Sequence, residues 1–183
     1  PGYEVRFPPY RRWIDSGYCT ITSPRLHDLV SDTLKERVLT DCDVDSLTPH
    51  EVITSDGRSI TAAAVIDGRG PVTSPHLVIR FQKFVGQVLR LDRPHGLSGP
   101  ILMDATVEQR SGYRFLYVLP FTDRTALIED TRYSDSPVLE RDDYASEIQR
   151  YAEAQGWQPA AVLQEEQGVL PVALSGDIER FWE

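Results

Sequence analysis

The sequence predicts a mixed α/β to α+β protein, in which a segment with a helix and a hairpin precedes a large, mostly antiparallel sheet. Two observations carry this prediction. Apolar residues recur at helical spacing in two separate segments, and between them four strongly apolar segments with strand character follow one another from about residue 71. A chain of 183 residues is also long enough for one substantial hydrophobic core.

The first predicted element is an amphipathic helix in the stretch SPRLHDLVSDTLKERV, residues 23–38. Ser23 is placed to cap its N-terminus, and Pro24 suits the first helical position, where its missing N–H is no loss. The apolar side chains recur three or four residues apart and therefore share one face: Leu26, Leu29, Val30, Leu34 and Val38.

A β-hairpin is predicted next, in HEVITSDGRSITAAAVIDGRG. Asp56-Gly57 is one of the dipeptides that favour a tight turn between two strands. The second strand is expected to run through Ala62 to Ile66 and to stop at Asp67-Gly68.

Four longer strands are predicted to follow, in LVIRFQKFVGQVLRL, GPILMDATV, GYRFLYVLPF and TALIEDTRY. In the third of these, Tyr113, Phe115 and Tyr117 occupy alternate positions, so their rings lie on one face of the strand. Such a face is most often part of a core. It can also form the wall of a site for an apolar ligand and stabilise a cation through the ring faces.

A second helix is predicted after these strands, beginning in the acidic stretch ERDDY. Gly156 followed by Trp157 matches a glycine cap at its C-terminus with an apolar residue beyond. One side of this helix is apolar: Tyr144, Ile148, Tyr151 and Ala152. The tail VLQEEQGVLPVAL is expected to add one or two strands.

Composition excludes several functional classes. The net charge of −9 argues against nucleic acids and anionic membrane surfaces, which bind basic proteins. No apolar run reaches the roughly 18 to 20 residues that span a bilayer.

Cys19 and Cys42 lack metal-site spacing and are expected to be free thiols in a reducing compartment. The histidines have no carboxylates at metal-ligand spacing, so no metal site is predicted. The glycines of PHGLSGP match no phosphate-binding motif and are interpreted as a loop.

The segment ALIEDTRYSD places Glu129 and Asp130 directly after apolar residues of a strand. Such a pair is either at a strand end in solvent or held inside for a purpose, because an unpaired buried carboxylate costs several kcal/mol. Adjacent strand residues face opposite ways, so only one of the two can point into a given cavity. Glu129 shares its face with Leu127 and Tyr133, and these largely apolar neighbours favour a raised pKa of its carboxyl. Asp130 shares its face with Arg132, which can pair with it.

Long co-linear stretches of this sequence resemble the bacterial lycopene β-cyclases, a family of flavin-dependent carotenoid cyclases. The resemblance is carried by FVGQVLRLDRPHGLSGPILMDATVEQRSGYRFLYVLPF, ALIEDTRY and LQEEQGVLPVALSG. Upstream, YEVRFPPYRRWIDSGYCTITSPRL and AAAVIDGRG are similar to the preceding region of the family. Nearly the whole chain is covered.

The resemblance implies a FAD-dependent flavoprotein of the aromatic hydroxylase-like type, with a Rossmann-type flavin domain interrupted by a substrate domain on a large sheet. The family's glycine-rich flavin motif and its later flavin-binding segment are not in this sequence. The chain is therefore expected to be a middle portion, inactive alone, with residues 1–70 belonging to the FAD-binding domain and residues 71–183 forming the substrate domain. Asp67 and Gly68 match the strand end that lies near FAD and are the predicted cofactor-binding residues.

The family's reaction, as the resemblance implies it, closes an acyclic ψ end of lycopene into a β-ionone ring without net redox change. This is an intramolecular lyase (isomerase) reaction of carotenoid biosynthesis. A carboxylic acid protonates the terminal double bond, a neighbouring double bond attacks the tertiary cation, and a second proton is lost. The IEDT stretch matches the family's acidic motif, which assigns the catalytic acid to Glu129 and the second acidic position to Asp130.

The resemblance also implies the partners of the full-length protein. The substrate is lycopene or another acyclic carotenoid, and the cofactor is reduced FAD with NAD(P)H as reductant. From the charge and the histidine spacing, neither a metal nor nucleic acid is expected. The protein is expected to be cytoplasmic and peripheral at the inner membrane. The predicted substrate-binding residues are Tyr113, Phe115, Tyr117 and Tyr133.

Two alternatives stay open at this stage. A flavin monooxygenase has the same fold type, although an acidic pair on a strand favours the cyclase because hydroxylation needs no strong buried acid. The chain is alternatively a substrate domain that binds an apolar ligand or partner without chemistry. A glycine-rich motif encoded upstream of Pro1 would favour the flavoprotein.

Overall fold

The computed structural model describes residues 2–68, 74–110 and 112–181. The strands of this described part are β1 Tyr3–Phe7, β2 Tyr10–Ile14, β3 Val44–Thr48, β4 Glu51–Thr54, β5 Ser59–Thr61, β6 Leu77–Leu91, β7 Ile101–Asp104, β8 Arg114–Thr122, β9 Thr125–Ser134 and β10 Pro159–Gly176. The helices are α1 Ser23–Leu34, α2 Arg141–Ala154 and α3 Ile178–Phe181. The chain divides into a smaller unit, Cys19–Val72, and a larger unit made of Pro1–Tyr18 with Thr73–Glu183.

The larger unit is built on a seven-stranded sheet in the order β10-β6-β9-β8-β7-β1-β2. All neighbouring strands are antiparallel except β1 and β7, which are parallel. The predicted mixed α/β composition with a large, mostly antiparallel sheet is confirmed. The tail forms one strand, β10, which pairs with β6 along its length.

The core of the larger unit lies between α2 and one face of the sheet. Alternate residues of the three central strands supply the sheet side, as the period of two requires. This face, here called the helix face, carries Val85, Leu89, Leu116, Val118, Ala126 and Ile128. Tyr144, Ile148, Tyr151 and Ala152 of α2 pack onto it, as the sequence predicted.

The C-terminus of α2 has the predicted glycine cap. Gly156 adopts a φ of 77°, in the left-handed region that glycine favours. Its N–H donates to the Glu153 carbonyl at 2.9 Å, and the Trp157 N–H donates to the Ala152 carbonyl at 2.9 Å. The Trp157 indole then donates to the His95 carbonyl at 3.0 Å, which ties the helix end to the PHGLSGP loop.

The first strands were not predicted, because charged residues interrupt their apolar pattern. Glu4 and Arg6 lie in β1 and are paired with each other at 2.9 Å, and Arg6 also bonds Asp104 of β7 at 3.1 Å. Strands β1 and β2 belong to the sheet of the larger unit, although in the sequence they precede the smaller unit. The assignment of residues 1–70 to a FAD-binding domain and of residues 71–183 to a substrate domain stays a prediction.

The smaller unit contains α1 and the three-stranded sheet β3-β4-β5. The α1 prediction needs two corrections. The N-cap is Thr22 rather than Ser23, because the Thr22 carbonyl accepts the first helical bond, from Leu26 N at 2.9 Å. The α-helix ends at Leu34, where Lys35 begins a short 3-10 turn with a φ of 48°.

The hairpin prediction is confirmed in its turn and wrong in its second strand. Gly57 has a φ of 83° in the connection between β4 and β5. However, β5 ends at Thr61 instead of running to Ile66. Its partner β4 begins at Glu51, opposite Thr61, so the residues after Thr61 have no strand to pair with there.

Candidate active site

Glu129 and Asp130 lie at the centre of β9, between β6 and β8. Glu129 pairs across the sheet with Gly86 of β6 and Tyr117 of β8, whereas Asp130 pairs with Val85. Adjacent strand residues point to opposite faces, so the sheet separates the two carboxylates. The interpretation of this pair as a strand end in solvent is wrong, because β9 continues beyond both residues.

Asp130 points to the helix face and is completely buried, with 0% exposure. Arg114 donates from Nε to Oδ1 and from Nη2 to Oδ2, both at 2.9 Å, which is a bidentate pair. Arg132 Nη2 donates to Oδ2 at 2.7 Å, which confirms the suggested pairing of Asp130 with Arg132. Every one of these hydrogen bonds uses the carboxylate as an acceptor.

Helix α2 extends the ion-pair network of Asp130. Glu147 lies 3.0 Å from Arg114 Nη2, and Asp143 lies 2.5 Å from Arg132 Nη1. The bond from Arg132 lowers the pKa of Asp143, despite some burial. Burial disfavours the charge on Arg132, but its bonds to Asp130 and Asp143 outweigh this and raise its pKa. The network therefore fixes the centre of β9 to β8 and to α2.

Glu129 points to the opposite face of the sheet, here called the aromatic face, and is only partly exposed. Burial raises the pKa of its carboxyl, and the negative charges of Glu166 and Asp130 raise it further. The Thr131 hydroxyl donates to Glu129 Oε1 at 2.9 Å and opposes that shift without cancelling it. Glu129 is thus a carboxyl whose surroundings favour the protonated form.

The aromatic rings predicted to bind substrate line the same face. The centroids of Tyr113 and Phe115 are 5.6 Å apart, those of Phe115 and Tyr117 are 5.1 Å apart, and those of Tyr113 and Tyr133 are 6.3 Å apart. Exposure falls from 41% at Tyr113 to 2% at Phe115. Burial raises the pKa of Tyr117, and the charge of Glu129 opposite it adds to the shift. The face therefore combines an acid that favours its proton with a row of ring surfaces.

The family model described as "Lycopene cyclase protein" matches residues 1–183. The chain belongs to the lycopene cyclase family. It is 47% identical to the lycopene beta-cyclase of Pseudescherichia vulneris over 184 residues, 45% identical to that of Pantoea ananas over 183, and 46% identical to that of Paracoccus sp. (strain N81106 / MBIC 01143) over 182. Each match covers 100% of this chain.

The chain spans about half the length of these curated lycopene cyclases, namely 47%, 48% and 47%. No solved structure matches it. In the part of the chain that the structure describes, no helix combines the length and apolar character needed to cross a membrane. Among the same residues, no cluster of three or more histidine, cysteine or acidic side chains could hold a metal ion.

The structure does not bring every predicted site residue of this lycopene cyclase chain together. Asp130 is separated from Glu129 by the sheet, on the helix face. Asp67 and Gly68 are exposed in the smaller unit, in a segment without regular secondary structure. Tyr133 lies with the other rings on the aromatic face, and it also borders a cavity of about 400 Å³ whose lining includes Lys83 and Arg132.

Two residues of the site were missed in the sequence. Arg114 lies on the same face of β8 as the buried Leu116 and Val118. A single charged side chain at such a core position indicates a buried ion pair. Glu166 lies far along the chain from Glu129, and only the strand order shows that it is a neighbour on the aromatic face.

Proposed function

We propose that the natural full-length protein is a lycopene β-cyclase, and that Glu129 is the acid that starts ring closure. The observation that carries this proposal is the position of Glu129: a partly buried carboxyl with a raised pKa, beside Tyr117 on an aromatic face. An acyclic polyene offers nothing to hydrogen-bond, so its activation requires an acid that stays protonated in an apolar site.

The proposed reaction begins with transfer of the Glu129 proton to the terminal double bond of the ψ end group. The tertiary cation that results is attacked by a neighbouring double bond, and this closes the six-membered ring. Loss of one proton from the ring then gives the β end group, so substrate and product are isomers. The rings of Tyr117, Phe115 and Tyr113 lie on the same side of the sheet as Glu129, and a ring face turned toward the cation would stabilise it.

Asp130 has a different part in this proposal. It does not contact a substrate on the aromatic face, because its carboxylate lies on the helix face between Arg114 and Arg132. It fixes the centre of β9 and so orients the neighbouring Glu129. We therefore propose Glu129 as the catalytic residue and Asp130 as a positioning residue.

Reduced FAD, with NAD(P)H as its reductant, is the proposed cofactor, and reduced flavin would supply further electron density near the cation. The pyrophosphate of FAD needs a glycine-rich turn at a helix N-terminus. In the described part of the chain, the two long helices begin after Thr22 and Glu140 instead. The described residues thus do not build this cradle by themselves, and we propose that other segments of the natural protein hold the flavin, with Asp67 and Gly68 at its border.

The proposed substrate is lycopene or another acyclic carotenoid. Because such molecules dissolve in membranes rather than in water, we propose that the full-length protein takes them up as a cytoplasmic protein peripheral to the inner membrane. The net charge of −9 disfavours binding to nucleic acid.

The decisive experiment replaces Glu129 with glutamine in the natural full-length protein supplied with reduced flavin. Glu129→Gln keeps the size of the side chain and removes the transferable proton. Turnover of lycopene should fall by about 10² to 10⁴-fold, the usual contribution of a general acid. Flavin content should stay the same.

The matched control is Asp123→Asn, at the exposed turn between β8 and β9, where full activity is expected. Full activity of Glu129→Gln would contradict the proposal. Mass spectrometry of the product separates the alternatives, because cyclisation leaves the mass unchanged and a monooxygenase adds one oxygen atom. A non-catalytic binding protein would turn over no lycopene in any variant.

A further inference from the structure

A second pair of adjacent carboxylates on β10 repeats the arrangement seen on β9. Glu165 points to the helix face, where Gln87 Nε2 donates to it at 2.8 Å and Arg141 Nε at 2.5 Å. Glu166 points to the aromatic face, the same face as Glu129. In each pair, therefore, one acid is fixed by an arginine on the helix face and its neighbour faces the aromatic side.

The strand register places Glu166 and Glu129 in one row across the sheet. Both residues pair with Gly86, Glu166 from β10 and Glu129 from β9. Two strand spacings separate their backbones, which is about 10 Å. The residue between them, Gly86, carries no side chain of its own.

Gly86 also shows where the side chain of Glu166 lies. A Cβ atom added at Gly86 would be 3.2 Å from Glu166 Cγ and 3.4 Å from Glu166 Oε1. The same atom would be 3.1 Å from Leu127 Cδ1 of β9. The Glu166 side chain therefore extends over β6, toward the strand that carries Glu129.

The surroundings of Glu129 make Glu166 its principal charged neighbour on this face. The titratable groups that face Glu129 are Tyr117 from β8, Tyr133 from its own strand and Glu166 from β10, while β6 contributes Gly86. The charges that act on Glu129 are both negative, those of Glu166 and of Asp130 across the sheet. No residue in the described ranges donates a hydrogen bond to the Glu166 carboxylate or forms an ion pair with it.

We propose that Glu166 is a positioning residue whose negative charge, carried over Gly86 toward Glu129, keeps the transferable proton on Glu129 between turnovers. This inference rests on the proposed function, because Glu166 acts through Glu129. A negative charge on the same face makes the loss of that proton less favourable.

The proton count of the site balances over one turnover. Glu129 gives its proton to the substrate, and the new ring releases one proton after the C–C bond has formed. At that moment Glu129 is ionised, and the negative charge of Glu166 makes it a better proton acceptor. Glu129 therefore takes back one proton from the ring, and the site returns to its starting state.

The test compares Glu166→Gln with Glu165→Gln in the natural full-length protein. The pH profile of kcat/KM for lycopene reports the protonation of the acid in the free enzyme. Removing the negative charge of Glu166 should move the alkaline limb of this profile to lower pH, by at least about 0.3 pH unit, which is the shift for two charges 10 Å apart in water. Glu165→Gln, on the other face of the same strand, should leave the limb in place.

Two further measurements make the result independent of turnover. A ¹³C NMR titration of the Glu129 carboxyl, assigned from the Glu129→Gln spectrum, should show the same downward shift in Glu166→Gln. Gly86→Ala, which displaces the Glu166 side chain without removing its charge, should shift the titration in the same direction by a smaller amount.

An unchanged limb and an unchanged titration in Glu166→Gln would overturn this role of Glu166, and so would an equal shift in Glu165→Gln. These outcomes differ from a failure of the proposed function, in which Glu129→Gln itself stays active. If Glu129→Gln is inactive and only Glu166→Gln shifts the pH profile and the titration, the proposed function and the role of Glu166 are both supported.

Discussion

Replacing Arg114 with methionine should loosen the centre of the sheet more than any change to an exposed charge. Arg114 is 2% exposed, so Arg114→Met removes two hydrogen bonds from the buried Asp130 carboxylate and one ion pair from the buried Glu147. Methionine nearly matches the length of the side chain. The loss therefore comes mainly from the broken ion pairs and much less from a cavity.

Breaking a buried pair by removal of one partner costs about 3–5 kcal/mol. We expect the lower end of this range, because Asp130 keeps Arg132 and Glu147 keeps Arg110. The matched control is Arg141→Met, whose arginine is 53% exposed and pairs with Glu165 on the same face. An exposed pair of this kind contributes about 1 kcal/mol or less.

The assay is amide hydrogen exchange of the natural full-length protein, followed by mass spectrometry of peptides from β8 and β9. It measures the opening free energy of these strands without requiring the whole protein to unfold in two states. If the opening free energy of these strands decreased by less than about 1 kcal/mol in Arg114→Met, the reasoning would be refuted. An equal decrease in Arg141→Met would refute it as well. Adding Asp130→Asn to Arg114→Met should recover part of the loss, because the buried charge leaves together with its partner.

Three further predictions concern the two faces of the sheet and the end of α2. Burial raises the pKa of Glu129 in the folded protein above its value in the unfolded chain. The folded protein therefore loses stability as the pH rises from the unfolded pKa to the folded pKa of this carboxyl. Glu129→Gln should raise the melting temperature at about pH 8 and leave it unchanged at about pH 4. If the ring face of Tyr117 stabilises the cation, Tyr117→Phe should keep kcat within about threefold, whereas Tyr117→Leu should lower it about tenfold. Gly156→Ala should reduce the opening free energy of α2 in hydrogen exchange by about 1 kcal/mol, because its φ of 77° is unfavourable for a side chain, and an unchanged value would contradict that account.

Much of the candidate site was predictable from the sequence because strand periodicity is local. The period of two follows from backbone geometry alone, so it placed Glu129 and Asp130 on opposite faces and aligned Tyr113, Phe115 and Tyr117 before any partner strand was known. The glycine cap of α2 was predictable for the same reason, since Gly156 and Trp157 bond within one helical turn.

The sequence by itself determined the mixed fold class, the central strands of the sheet and the orientation of the acidic pair along β9. Only the tertiary structure decided which side chains surround that pair. Arg114 binds Asp130 from the neighbouring strand, and Glu166 reaches toward Glu129 across Gly86 from a strand near the end of the chain. Strand order and register depend on long-range pairing and packing, which local residue patterns do not encode, and this is why neighbours across the sheet became visible only in the folded chain.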